Sequence, residues 1–96
     1  MGAERHLVRT IQRIRQNVVD RDYYLSSHAE DEMWADQLER SDLEHALLSG
    51  EIIKRMTRDF RGTRYRIEGP AKDGRLIHVI CRFREKGNLV IITVTL

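Results

Sequence analysis

A change of hydrophobic period near residue 51 constrains this chain more than any other feature. Before that point apolar residues recur every three or four positions, and after it they alternate. Leu7, Ile11, Ile14 and Val18 are spaced four, three and four apart, which predicts an amphipathic helix over 5–19. Beyond it, β-rich runs over 52–58, 63–68, 75–83 and 89–95 are separated by Arg61-Gly62, by Gly69-Pro70 with Asp73-Gly74, and by Gly87-Asn88. Each separator contains residues that start turns or tolerate positive φ, so sequential antiparallel pairing is the economical topology. The expectation is an α+β domain, with N-terminal helices packed on one face of a four-stranded antiparallel β-meander.

Between the first helix and the strands, Tyr23 and Tyr24 make 22–26 a short extended candidate. Ser27 with Glu30, and Ser41 with Glu44, have capping-box spacing and predict helices over 27–38 and 41–49. Gly50 is expected to end the second in left-handed geometry. Ala29, Met33 and Trp34 are expected to face inward on one helix, and Leu43, Ala46 and Leu47 on the other.

The chain has 96 residues, 41% hydrophobic and 33% charged, which fits a single domain over 1–96 and excludes a disordered chain. Its lone cysteine, Cys81, alternates with Ile77, Val79 and Phe83 and reads as a buried core thiol, so no internal disulfide is available. No run approaches the roughly 18 apolar residues of a membrane span, and the first residues lack an apolar signal region; a cytoplasmic location is the expectation.

A formal net charge of +2 conceals a strong asymmetry. Residues 28–51 hold one basic and eight acidic residues, net −7, whereas 52–96 hold eleven basic and four acidic, net +7. Such segments become a polyanion-binding face only if the fold keeps them apart; otherwise the acidic helices neutralise the basic strands. Arg5, Arg9 and Arg13 form a further row on the first helix that wants an anion, either that acidic middle or an external phosphate or protein.

Strand alternation predicts what each sheet face carries. Ile77, Val79, Cys81 and Phe83 oppose His78, Ile80 and Arg82, while Tyr65 and Ile67 oppose Arg64, Arg66 and Glu68. In the last strand Val90, Ile92, Val94 and Leu96 oppose Leu89, Ile91, Thr93 and Thr95. If the helices cover the apolar sets, the open face presents Arg64, Arg66, His78, Arg82, Thr93 and Thr95. That combination suits a phosphodiester. RNA cleavage by the ribose 2′-hydroxyl needs a proton acceptor, a proton donor to the leaving oxygen, and cations for the charge on the phosphorane. Arginine supplies the cations bidentately, and His78 is able to move protons near neutral pH; His28, in the first turn of a helix, is the second candidate imidazole. The histidines fall outside any recognised metal spacing, and Gly69 and Gly74 read as an ordinary turn, not as a phosphate-cradling loop.

Ser27-His28-Ala29 with Met33, the stretch from Leu43 to Gly50 leading into Glu51-Ile52-Ile53, Thr63 to Gly69, the strand 76–80 and the closing Ile91-Ile92-Thr93-Val94 together resemble the bacterial domain-of-unknown-function family 4258, over roughly 23–96. That family looks related to the RelE/ParE/MqsR superfamily of small α+β toxins. The resemblance implies a RelE-like fold whose open sheet face receives RNA, and a role as toxin of a type II toxin-antitoxin pair acting as a metal-independent mRNA endoribonuclease with no cofactor. Its implied partners are a cognate antitoxin and mRNA, free or on the ribosome, with a second copy of the chain as a further candidate. His28 matches the family's Ser-His-Ala histidine, and Arg64 and Tyr65 match its strand start. The resemblance thus adds Tyr65 to His28 and His78 as candidate catalytic residues, beside Arg64, Arg66 and Arg82 for RNA phosphates. The lysine-rich catalytic sets of classical RelE-type nucleases have no counterparts here, and part of the superfamily shares the fold without cleaving RNA. Two alternatives therefore stand: a non-enzymatic protein-interaction module, and a toxin with a non-RNA target.

Overall fold

The computed structural model describes residues 2–58 and 60–96, and the side chains of 6–58 and 60–96. Its elements follow in the order α1 (Gly2–Val19), β1 (Tyr23–Leu25), α2 (Ser27–Ala35), α3 (Arg40–Ser49), β2 (Glu51–Met56), β3 (Arg64–Pro70), β4 (Leu76–Phe83) and β5 (Leu89–Thr95). The fold is α+β, with three helices and a sheet of five strands in the order β1-β5-β4-β3-β2.

The four predicted strands pair antiparallel in sequence, as turn chemistry requires, with Gly62, Gly74 and Gly87 at positive φ in the three connections. The expected four-stranded meander is nevertheless incomplete. Tyr23–Leu25 joins the far edge and pairs in parallel with β5, Tyr23 beside Leu89 and Leu25 beside Ile91. Two helices and three strands lie between β1 and β5 in the chain, the long connection that a parallel pair requires.

The helices pack on one face of the sheet, α2 against β5 and α3 against β3 and β4. Ile14 and Val18 of α1, Ala29 and Met33 of α2, and Leu43, Ala46 and Leu47 of α3 share one core with Ile67, Ile77, Val79, Cys81 and Val94. Trp34 departs from expectation: it is 87% exposed, because α2 ends one residue later and presents only Ala29 and Met33 to the sheet. Burial pushes the Cys81 thiol up to about 12, consistent with a packing role. The Tyr23 hydroxyl, buried and donating to the Glu44 carboxylate, is likewise raised to about 12, burial being the main cause.

The helix starts lie earlier than the capping-box spacings predict. Ser26, not Ser27, caps α2, its hydroxyl oxygen accepting from the Ala29 amide at 3.0 Å while its own proton goes to the Ile92 carbonyl at 2.8 Å. Glu39 and Asp42 form the box of α3 in place of Ser41 and Glu44. Gly50 is extended, with φ −88° and ψ −175°, so left-handed closure is not its purpose. A Cβ on Gly50 would stand 2.5 Å from the Glu68 carbonyl oxygen, and one on Gly69 would press on the Ala46 carbonyl and stand 2.9 Å from the Gly50 Cα. These glycines let α3 lie directly on β3. Gly69 is thus a residue of β3 and not of a turn.

Candidate functional site

The face opposite the helices is assembled by strand register. Tyr65 pairs with Cys81 and Ile67 with Val79, and both pairs point into the core, so Arg64, Arg66 and Glu68 emerge on the other side with His78, Ile80 and Arg82. The burial of β3 alternates without a break. In β5 the alternation fails once. Ile80 faces Thr93 and Cys81 faces Ile91, leaving Ile92 as the extra residue of a β-bulge. The bulge reverses the expected faces of half the strand: Leu89 and Ile91 are buried in the core, Val90 turns outward opposite Arg82, and Thr93 and Thr95 keep their predicted place on the open face. Both halves of β5 therefore deliver apolar side chains inward, which one uninterrupted alternation of this sequence cannot do.

The open face reads as three cross-strand rows. The first holds Tyr24, Val90, Arg82, Arg64 and Met56; the second Thr93, Ile80, Arg66 and Lys54; the third Thr95, His78, Glu68 and Glu51. The first row carries Arg82 and Arg64 and the second Arg66 and Lys54, while the third pairs an imidazole with carboxylates. Among the described residues neither Arg66 nor Arg82 comes within ion-pairing distance of a carboxylate. Of the eight acidic residues of 28–51, only Glu51, at the start of β2, stands on the open face; the other seven belong to α2, α3 and the connection between them, the helices packing on the far side of the sheet. Segment charge has thus become facial charge.

His78 is 22% exposed, and its Nδ1 lies 3.7 Å from a Glu68 carboxylate oxygen, buried and beyond hydrogen-bonding reach. Arg66 is its diagonal neighbour, roughly 7 Å away between backbones, whereas Arg82 stands four residues along β4, roughly 13 Å away. His78 and Arg66 can therefore meet one phosphate, with Arg64 and Arg82 placed for the next.

The other two predicted catalytic residues are elsewhere. His28 is 68% exposed on the first turn of α2 and approaches Glu32 at 3.5 Å; Glu32 in turn accepts the Val94 amide, so His28 sits by the stretch of β5 that β1 leaves uncovered. Tyr65 is 6% exposed on the helix side, packed edge-on against Phe83 with its hydroxyl 3.5 Å from His6 Nε2. The sheet separates it from Arg64, Arg66 and Arg82. Of the arginine row on α1, Arg13 lies over the Phe83 ring at 3.8 Å and Arg9 is exposed, while the Arg5 side chain lies outside the described residues.

Sequence reasoning missed Tyr24 and Lys54 on this face. Alternation within β1 sends Tyr23 inward and Tyr24 outward, but the signal exists only once Tyr23–Leu25 is known to be a strand of this sheet. Lys54 was obscured by a second bulge at Ile53. Among the described residues no cluster of three or more His, Cys, Asp or Glu is placed to hold a metal ion, and no helix is long and apolar enough to cross a membrane.

No curated protein and no solved structure matches the chain. A family model described as a domain of unknown function, DUF4258, matches residues 25–95, the span that holds β2 to β5, the last residue of β1 and both acidic helices. The chain belongs to the DUF4258 family.

Proposed function

We propose that this protein binds RNA on the open sheet face and cleaves it by 2′-hydroxyl attack, as the toxin of a type II toxin-antitoxin pair with a RelE-like fold. The observation that carries the reading is the segregation of charge: α2 and α3 lie behind the sheet, and Arg64, Arg66, Arg82 and Lys54 stand together in front of it. Two adjacent rows of cations suit successive phosphates.

In this reading His78 takes the proton of the 2′-hydroxyl or delivers one to the 5′-oxygen that departs as the 2′,3′-cyclic phosphate forms. Glu68, 3.7 Å from Nδ1, favours the ring orientation that turns Nε2 outward. Arg66 stabilises the phosphorane, and Arg64 and Arg82 hold the neighbouring phosphate. His28 is the candidate partner for the other proton from the uncovered edge of β5. Tyr65, behind the sheet, positions β3 through its packing on Phe83 instead of touching RNA.

A second reading, a non-cleaving interaction module of the same fold, is favoured by one observation: His28 and His78 are carried by different layers, so a two-imidazole acid-base pair is not assembled on the open face alone. Induced expression in a growing bacterium, with growth and RNA integrity followed together, separates the two. Growth arrest with discrete mRNA cuts, lowered at least 100-fold in rate by His78→Ala in a folded variant, supports cleavage. Intact RNA, with or without arrest, rejects it.

A further inference from the structure

The row containing Arg64 and Arg82 does not end on the sheet. It opens into a cleft of about 960 Å³ between the β2–β3 connection and the β4–β5 turn, lined by Arg61, Arg82, Arg84 and Lys86. Asp22 and Glu85 line it too, so among the described lining residues four cations face two carboxylates. Aromatic rings flank the cations. The Arg84 guanidinium lies 4.3 Å from the centroid of Tyr24, whose hydroxyl is buried without a hydrogen-bond partner among the described residues. Phe60, in the β2–β3 connection, is 93% exposed with the Arg61 guanidinium 5.4 Å from its centroid.

Leaving a phenylalanine in water forgoes the gain of burying it, which makes an exposed ring against Arg61, a lining residue of the cationic cleft, chemically conspicuous. Cations alone would suit any polyanion. Cations with exposed aromatic faces suit a single strand whose bases are free to stack, since every base has a π-face and a duplex hides it.

We propose that this cleft is a subsite for the nucleotide that adjoins the phosphate held by Arg64 and Arg82 in a single-stranded RNA, with Phe60 stacking on its base and Arg84 and Lys86 meeting its phosphate. The inference rests on reading the open face as an RNA-binding surface. It adds the strand state of the substrate and the direction in which the strand leaves the sheet.

Fluorescence anisotropy tests this with a labelled 12-nucleotide RNA of mixed sequence carrying 2′-O-methyl groups, which cannot be cleaved, used as a single strand and as a blunt duplex. Phe60→Leu should weaken single-strand binding on the order of 5- to 150-fold, leave the salt slope unchanged and barely alter duplex binding. Lys86→Gln should lower the log-log salt slope for the single strand by about 0.7. Both side chains are exposed, and circular dichroism verifies that the variants fold. Wild-type binding that neither substitution alters overturns the subsite while leaving the open-face reading intact. Equal losses for single strand and duplex also overturn it, because stacking requires a splayed base. Failure of the wild type to bind either form in 50 mM salt removes the open-face reading and the subsite together.

Discussion

Gly69→Ala should unfold this protein more readily than any surface substitution, and the cost follows from the contact between α3 and β3. A Cβ at Gly69 would stand 2.9 Å from both the Ala46 carbonyl carbon and the Gly50 Cα, where ordinary contact begins at 3.4 Å, and nearer still to the Ala46 oxygen. All of these are backbone atoms, so no side chain can swing aside. The helix must lift by at least about 0.5 Å, a gap that forfeits roughly a quarter of the dispersion attraction across it. Leu43 and Leu47 of α3 are fully buried. A buried leucine gains roughly 4–12 kcal/mol from 40–60 contacts, about half of which here face the sheet, so the two together lose about 1–3 kcal/mol. Residual strain brings the expected total to about 3 kcal/mol. A domain of 96 residues holds only roughly 5–14 kcal/mol in all. Urea denaturation should show the midpoint falling by about 2 M for an m value of about 1.5 kcal/mol/M. Gly50→Ala presses on the same Ala46 carbonyl. The double variant should therefore cost at least about 1 kcal/mol less than the sum of the singles, since the helix lifts once. A Gly69→Ala variant within 1 kcal/mol of wild type, or strict additivity with Gly50→Ala, would refute the close-packing argument.

Three further outcomes follow from the same structure. Ser26→Ala should cost about 1 kcal/mol through loss of the α2 cap, whereas Ser27→Ala should be nearly neutral; equal costs in thermal or urea unfolding would reassign the cap. The stability contributed by Cys81 and Tyr23 should be constant below about pH 9 and fall as pH rises towards 12, because the folded chain keeps their protons up to about 12 while the unfolded chain loses them near 9.0 and 10.0; urea midpoints at pH 8 and pH 10.5 measure the difference, and Cys81 should resist iodoacetamide at pH 8 until the chain unfolds. Arg66→Gln and Arg82→Gln should each lower the salt slope of single-stranded RNA binding by about 0.7, and an unchanged slope in anisotropy titrations would place the phosphates elsewhere.

Much of the open face was legible because β3 and β4 alternate strictly. A period of two assigns Arg64, Arg66, His78 and Arg82 to one side and Tyr65, Ile67, Val79 and Cys81 to the other whatever the rest of the chain does. Leu89 and Ile91 were misassigned because a bulge at Ile92 costs one residue of register, and nothing in an unbroken apolar run marks where the extra residue falls. Trp34 was misplaced inward because helix α2 is short, and apolar spacing cannot tell which of two nearby large residues meets the sheet. The caps moved because Ser26 also bonds β5 through its hydroxyl, a gain invisible to local spacing.

The amino-acid sequence by itself determined the two halves of this protein, helices before residue 51 and antiparallel strands after it, because hydrophobic period and turn residues are local properties of the chain. It also determined that one half is acidic and the other basic. Only the tertiary structure decided that the acidic helices lie behind the sheet. Only the tertiary structure brought Tyr24 beside Val90, 66 residues away, and led the row of Arg64 and Arg82 into the cleft that holds Arg84 and Lys86. Those arrangements depend on α3 reaching the backbone of β3 through two glycines and on a parallel edge strand whose partner is distant in sequence, and pairing across such separation is set by the packing of the whole core.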